Sequence, residues 1–475
     1  MALPETHPYI GGEFIPTNET YHVHCPWDKS PIAKVHLAGV KELEQAILQA
    51  QQAERPLAEL AAFEKYEILM RIAQGIKKNR NNFAKTLALE ACKPIKLAYG
   101  EIDRAIQTFI IAAEEAKRPP AELIRIDWTP QGKGKEGLVK YFPVGLVAGI
   151  VPFNFPLNLS VHKIAPAIAA GCPIILKPAR STPLSALKLA EIIDSTPLPK
   201  GALSILPTNR EVGNKLVTDY RFALLSFTGS PQVGWKMKNQ AGHKRVVLEL
   251  GGNAGVVVAP SANLEQAVTK CLSGAFAYAG QVCIHTQRIF VHQTIFNAFT
   301  EKFIQGAANL KNGHPLDADT DISSIIDEEN AVRVEEWVNE AMNAGAKVLL
   351  GGKRKGSFFP PTVLTNTTNS MKVCALEVFG PVVTLEPYTD FHEAINLINQ
   401  SEFGLQAGVF TNLIDEMNFA FNELHVGGVI INDVPTFRVD HMPYGGIKNS
   451  GFGREGVKYA MLEMLEPRLL VKNTL

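Results

Sequence analysis

The sequence predicts an α/β protein of more than one domain, and three observations carry that reading. Short apolar segments recur roughly every 20 to 30 residues from residue 146 onward, helix-compatible stretches separate most of them, and 475 residues exceed what one core fills. Such alternation calls for βαβ crossovers and a parallel sheet, a nucleotide-fold pattern.

Taken in order, residues 40–117 carry helical periodicity, with Leu43, Ala46, Ile47 and Ala50 on one face and Tyr66, Leu69, Met70 and Ala73 on another. Pro119-Pro120 then stop the helix. Extended stretches at 123–128 and 137–142 flank Gln131-Gly132-Lys133-Gly134 and read as a projecting hairpin. Strands are expected over 146–151, 174–177, 203–206, 223–227 and 246–250. A second αβ series, 255–432, places strands at 256–258, 289–291, 347–350, 409–411 and 428–432. There is no repeat of solenoid period and no low-complexity linker, so the domains are expected to pack tightly.

Composition narrows the partners. With 46% hydrophobic and 20% charged residues the chain reads as an ordinary soluble globular protein. Lys+Arg and Asp+Glu both number 47, leaving no global field to draw in nucleic acid or a membrane surface, so a small-molecule partner is expected. The six cysteines are scattered singly, with neither metal-ligand spacing nor a disulfide framework, which predicts no metal and a reducing compartment. The first residues lack a signal-peptide pattern and no apolar run reaches transmembrane length, so the expected location is cytoplasmic.

Chemistry enters with Cys283, in Gly280-Gln281-Val282-Cys283, and Glu249, in Leu248-Glu249-Leu250-Gly251-Gly252. A thiolate adds readily to a carbonyl carbon without a metal, and a carboxylate can take a proton from the water that later hydrolyses the adduct. Adjacent glycines let backbone approach a ligand without Cβ obstruction. Alone, the pair is equally compatible with a core thiol and a surface carboxylate.

Seven strings in one order change that. Pro152-Phe-Asn-Phe-Pro156, Lys177-Pro-Ala179, Phe227-Thr-Gly-Ser230, Glu249-Leu-Gly-Gly252, Gly280-Gln-Val-Cys283, Glu377-Val-Phe-Gly-Pro381 and Pro443-Tyr-Gly-Gly-Ile-Lys-Asn-Ser-Gly451 resemble the aldehyde dehydrogenase superfamily in motif, order and spacing over nearly the whole chain. The resemblance implies an α/β fold of that family: a Rossmann-type parallel-sheet cofactor domain (1–118 and 143–251), a second α/β catalytic domain (252–435), a return segment (436–462), and a β-hairpin arm (119–142 and 463–475) that joins subunits into a homodimer or homotetramer. It implies oxidation of an aldehyde to its acid with hydride transfer to NAD(P). Two other readings stay open at this stage: a catalytically retired relative that binds without turnover, and a thioesterase-like hydrolase using the same thiol.

By the same resemblance Cys283 is the nucleophile, Asn154 the oxyanion donor together with the nucleophile's own N–H, and Glu249 the general base. Lys163 and Glu455 match a proton relay, or equally a structural ion pair. Cofactor contacts are expected from Pro152, Phe153, Lys177, Ala179, Arg180, Gly229, Ser230, Leu250, Glu377 and Phe379. Among these, Gly229 and Ser230 are expected to offer backbone N–H groups and a hydroxyl to the pyrophosphate at a helix N-terminus. Where many NAD-preferring relatives have a glutamate three residues after the ribose lysine, this chain has Arg180, which can pair with a 2′-phosphate and favours NADP, with NAD still open. Arg104, His162, Val282 and Phe437 are expected around the substrate. The polar His162 stands where many relatives with fatty or aromatic substrates have Trp. The pattern is nearest the lactaldehyde and non-phosphorylating glyceraldehyde-3-phosphate branches, which implies a short polar or anionic aldehyde. Gly451-Phe-Gly453-Arg-Glu-Gly456 fits a dinucleotide fingerprint, but too little chain follows it for a βαβ unit, so close packing of a C-terminal helix is the expectation.

Overall fold

In the computed structural model the described residues are 3–473. Met1 and Ala2 of the expected cofactor domain, and Thr474 and Leu475 of the expected arm, lie outside them. The periodic stretch forms four helices, Val40–Ala58, Ala62–Lys78, Arg80–Ala91 and Ile95–Glu115. Leu43, Ala46, Ile47, Ala50, Leu69 and Ala73 are buried, while Tyr66 and Met70 pack at the margin. The last of these helices ends at Glu115, ahead of Pro119-Pro120.

The first sheet has five parallel strands in the spatial order Arg245–Glu249, Leu224–Thr228, Val147–Ile150, Ile174–Lys177, Leu203–Ile205. The chain therefore reverses its direction of travel across the sheet at Val147–Ile150, and in such open sheets ligands sit off the carboxyl ends of the strands at that switch point. Helices cover both faces, so the strands are continuously apolar; all four residues of Val147–Ile150 are buried. Antiparallel edges are added by Tyr9–Ile10 with Glu13–Phe14 on one side and by Gly451–Phe452 on the other. These two-residue strands are too short to show a period. The rejected fingerprint is thus an edge strand followed by the helix Val457–Glu463, with Gly456 in a left-handed conformation at its cap.

The second sheet runs Lys347–Leu350, Thr362–Thr365, Val382–Tyr388, Thr286–His292, Ala254–Val258, Gln406–Phe410, Gly428–Ile431, parallel except for its first strand. Thr362–Thr365 and Val382–Tyr388 went unpredicted, since their threonines and the Glu386-Pro387 step interrupt the apolar run.

The arm is a three-stranded antiparallel sheet of Ala121–Arg125, Lys135–Pro143 and Leu465–Asn473. Its first strand starts and ends earlier than the sequence reading; Trp128 lies in the connecting turn, 89% exposed. The final strand pairs along all nine of its residues with Lys135–Pro143, yet leaves Leu469, Leu470 and Val471 exposed. Truncation after Glu466 strips the edge of Lys135–Pro143 and bares a template for aggregation. The expected product is aggregate or a single-chain particle in light scattering, and a well-folded dimer would contradict it.

Candidate active site

Two close backbone approaches shape the nucleophile loop. Between Glu249, which ends the last parallel strand of the first sheet, and Ala254, which begins the second sheet, a Cβ on Gly252 would lie 2.1 Å from the Cys283 carbonyl oxygen. A Cβ on Gly280 would lie 2.2 Å from the Gly380 carbonyl oxygen, and Gly280 has φ +68°. The two residues before it, Tyr278 and Ala279, are also left-handed at φ +51°, a conformation costly for side chains that carry a Cβ. This bend turns the chain out of the helix Leu264–Phe276 and presents Cys283 just ahead of the strand Thr286–His292.

Cys283 is half-buried, and the other five cysteines are buried. Its Sγ lies 3.1 Å from the Tyr444 hydroxyl. Burial pushes the thiol up to about 11 against the opposing pull of that hydroxyl. Asn154, in the loop after Val147–Ile150, donates from Nδ2 to the Gln281 carbonyl at 3.0 Å. One amide hydrogen is thereby fixed on the nucleophile loop and the second is left over. The Cys283 N–H meets no acceptor among the described residues.

Glu249 is buried, and both its carboxylate oxygens lack a hydrogen-bond partner among the described residues. Burial, and next the nearby negative charge of Glu455, hold its proton affinity well above the ordinary carboxylate range. Glu455 shows the opposite behaviour. Burial would raise it, but Lys163 and Arg438 overcome burial and keep it charged. Lys163 Nζ lies 3.4 Å from Glu455 and donates to Ser226 Oγ at 2.9 Å, and Arg438 donates to Glu455 at 3.0 Å. The Arg438 guanidinium also stacks 3.6 Å over the Tyr444 ring.

The network continues outward. Asp440 Oδ1 accepts from Arg104 at 2.7 Å and lies 2.8 Å from His162 Nε2, while His162 Nδ1 is 3.4 Å from Arg438. Both ring nitrogens of His162 are therefore spent within the protein, and burial lowers its proton affinity. Phe437, by contrast, is 46% exposed, and Val282 packs with Ile284, Leu405 and Tyr444 beside the thiol. Tyr444 and Ser226 join this site without a role expected from the sequence: Tyr444 stands beside the glycines of Pro443-Tyr-Gly-Gly, whereas Ser226 is one polar residue within an apolar strand and carries no signal.

The candidate cofactor residues fall along the carboxyl ends of the first sheet. Pro152 and Phe153 follow Val147–Ile150, Lys177 to Arg180 follow Ile174–Lys177, Gly229 and Ser230 follow Leu224–Thr228, and Leu250 follows Arg245–Glu249. One expectation is corrected here. The Gly229 N–H is not available to a phosphate, because it donates to the Glu249 carbonyl at 3.0 Å, which continues the ladder between Leu224–Thr228 and Arg245–Glu249. Ser230, the exposed N-cap of Pro231–Gln240, makes no capping bond with its side chain. A Cβ on Gly213 would lie 2.8 Å from Lys177 Cε, and burial lowers the lysine's proton affinity. Glu377 accepts from the Gly252 N–H at 3.0 Å and is pushed up to about 7 by burial. Phe379 meets Phe153 edge-on with centroids 5.9 Å apart. A free hydroxyl at a helix start, a half-buried lysine at a strand end and a carboxylate flanked by an aromatic pair suit a dinucleotide. Among the described residues no cluster of His, Cys, Asp and Glu could hold a metal ion, and no helix is long and apolar enough to cross a membrane.

A parallel sheet with its switch point beside a thiol, an amide donor and a high-affinity carboxylate suits a nucleotide-binding enzyme with covalent carbonyl chemistry. Residues 14–470 match the model of the aldehyde dehydrogenase family. The chain is 43% identical over 466 residues to 3-sulfolactaldehyde dehydrogenase of Priestia aryabhattai, covering 98% of this chain and 97% of that one. It superposes on aldehyde dehydrogenase 21 of Physcomitrella patens, solved with its reaction product succinate, at TM-score 0.98 and 43% identity, covering 100% and 99% of the two chains. It also superposes on the glyceraldehyde-3-phosphate dehydrogenase GapN of Methanocaldococcus jannaschii, solved with NADP, at TM-score 0.91 and 39% identity, covering 96% and 100%. The chain belongs to the aldehyde dehydrogenase family and is an NAD(P)-dependent enzyme that oxidises an aldehyde to its acid.

Tyr444→Phe removes the one hydroxyl that lowers the thiol's proton affinity, so the thiolate fraction at fixed pH should fall. Alkylation of Cys283 by iodoacetamide at pH 8 is expected to slow by about two- to tenfold, the worth of one hydrogen bond. An unchanged or faster rate would contradict the assignment.

Proposed function

We propose that the substrate is a short aldehyde bearing an anionic or hydroxyl group, turned over by Cys283, Asn154 and Glu249. Sγ bonds to the carbonyl carbon, and the thiol proton passes to Glu249, whose burial makes it a receptive base. Asn154 and the Cys283 N–H meet the negative charge that collects on oxygen. Bound NAD(P) supplies the acceptor for the hydride. Glu249 releases that proton to solvent and then takes another from the water that adds to the thioester; as the C–S bond breaks, Glu249 returns this second proton to the thiolate. Lys163 and Glu455 set the proton affinity of Glu249 from behind. Val282 and Phe437 border the aldehyde, and His162 acts by orienting Asp440 and Arg438. This scheme places residues 1–118 and 143–251 on the cofactor and 252–435 on the thiol chemistry.

The observation that carries the anionic preference is a pair of incompletely satisfied guanidinium groups. Arg104 Nε and Arg438 Nε are buried and lack a hydrogen-bond acceptor among the described residues, although each arginine is otherwise anchored in the network that reaches Cys283. Buried cationic donors without an acceptor favour a ligand that brings one. The relatives named for sulfolactaldehyde and solved with succinate act on anionic compounds, which agrees with that reading. Assaying hydroxy-, phospho-, sulfo- and carboxy-aldehydes of short chain, each with NAD and NADP, tests it. Arg104→Leu is expected to lower kcat/KM for the anionic aldehydes by about ten- to hundredfold while propanal changes little. Equal losses on both would remove the preference.

NADP is favoured over NAD at the adenosine end. Arg180 is exposed, lies 4.5 Å over the Tyr21 ring, and has no acidic partner among the described residues. Arg180→Glu is expected to weaken NADP relative to NAD by about ten- to hundredfold, mainly in KM, since the adenosine end does not change charge during reaction. High salt should shrink the effect. An unaltered NADP/NAD ratio of kcat/KM would make Arg180 a surface residue. A homodimer or homotetramer joined through the arm, located in the cytoplasm, completes the proposal, and the exposed apolar edge at Leu469, Leu470 and Val471 supports the association.

A further inference from the structure

We propose that the buried ion pair of Lys93 and Glu101 is a positioning device that holds the Asn154 loop and the Cys283 loop in register. Neither residue touches the thiol or the amide. Both side chains are fully buried and bonded to each other. Glu101 Oε1 accepts from the Leu157 and Asn158 N–H groups at 3.0 and 3.1 Å, at the N-terminus of the helix Pro156–Ala170 that directly follows Asn154. A carboxylate is favoured there by the free N–H groups and the helix dipole. Lys93 Nζ lies 3.7 Å from the centroid of Phe155, the residue after Asn154, and 4.4 Å from that of Tyr278, the first left-handed residue of the nucleophile bend. The two rings meet edge-on at 5.9 Å, and the Tyr278 hydroxyl donates to the Ala91 carbonyl at 2.8 Å.

One ammonium therefore contacts the neighbour of the oxyanion donor and the origin of the bend that presents the nucleophile, and its counter-ion grips the helix after that donor. Burial lowers the lysine's proton affinity while Glu101 raises it, so the charge depends on the partner. A pair this dry is a poor source of stability but a strict geometric constraint, because removing one member strands the other. Tyr278 and Ala279 need such a constraint, since their backbone conformation persists only when surroundings over-determine it.

The inference rests on Asn154 as the oxyanion donor, and the test separates the two. Three variants are compared with wild type: Asn154→Ala, Lys93→Met and the double variant, each by the rate of the first-turnover burst of reduced nicotinamide and by direct titration of cofactor. Asn154→Ala should slow the burst by about a hundredfold or more, and Lys93→Met by about tenfold or more. The double variant should fall within about threefold of Asn154→Ala alone, because both act on one contact. Cofactor dissociation constants should stay within about twofold, since the adenosine and pyrophosphate residues are untouched. Multiplicative losses, or a wild-type burst in Lys93→Met, would overturn the positioning role. A wild-type burst in Asn154→Ala would overturn the oxyanion assignment and the positioning role with it. If Lys93→Met does not fold, Glu101→Gln, which keeps an acceptor for both N–H groups, enters the same cycle with the same expected pattern.

Discussion

The site depends on one negative charge kept out of water. Glu455 stays ionised in a buried position because Lys163 and Arg438 face it. Its charge then does two things at a distance. It adds to burial in holding the proton affinity of Glu249 well above the ordinary carboxylate range, and it anchors Arg438, whose other face lies on Tyr444. Tyr444 in turn is the hydroxyl at the thiol. Base, thiol and the outer arginine network thus share one electrostatic origin, and the desolvation cost of that origin is offset only by the two cations together.

Backbone proximity is the second constraint, and it is met by glycine at two points. Gly252 lets the crossing between the sheets touch the carbonyl of Cys283, and its N–H binds Glu377. Gly280 lets the nucleophile bend reach Gly380, in the turn between Glu377 and the strand Val382–Tyr388. Base, thiol and the expected nicotinamide-side carboxylate come from three stretches that are far apart in sequence, and these contacts close the distance between them. A side chain at either glycine would have to displace backbone rather than a flexible tip.

Much of this was legible in the residues alone. The parallel strands of the first sheet are continuous apolar runs because both faces are covered, so Val147–Ile150 and Ile174–Lys177 announced themselves, and the helical periodicity of 40–117 marked its buried faces. The edge strands Tyr9–Ile10 and Gly451–Phe452 did not, because two residues have no period and their pairing is set by what lies beside them. Cys283, Glu249 and Asn154 were legible through the order of seven motifs that resembles the aldehyde dehydrogenase superfamily.

What tertiary structure alone decided is who touches whom. Gly229 sits in a phosphate-like motif, yet its N–H is used by the neighbouring strand, and His162, read as facing the substrate, has both nitrogens bound inside the protein. Lys93, Glu101 and Ser226 carried no local signal, since a charged residue on a helix face or a serine in a strand has the same pattern whether it meets water or a partner. The sequence by itself determined the chemistry available, through residue types and the periods that build the sheets. The fold decided which of those groups lose water, and a group's proton affinity and hydrogen-bond capacity are fixed by that loss and by the partners met at the same moment.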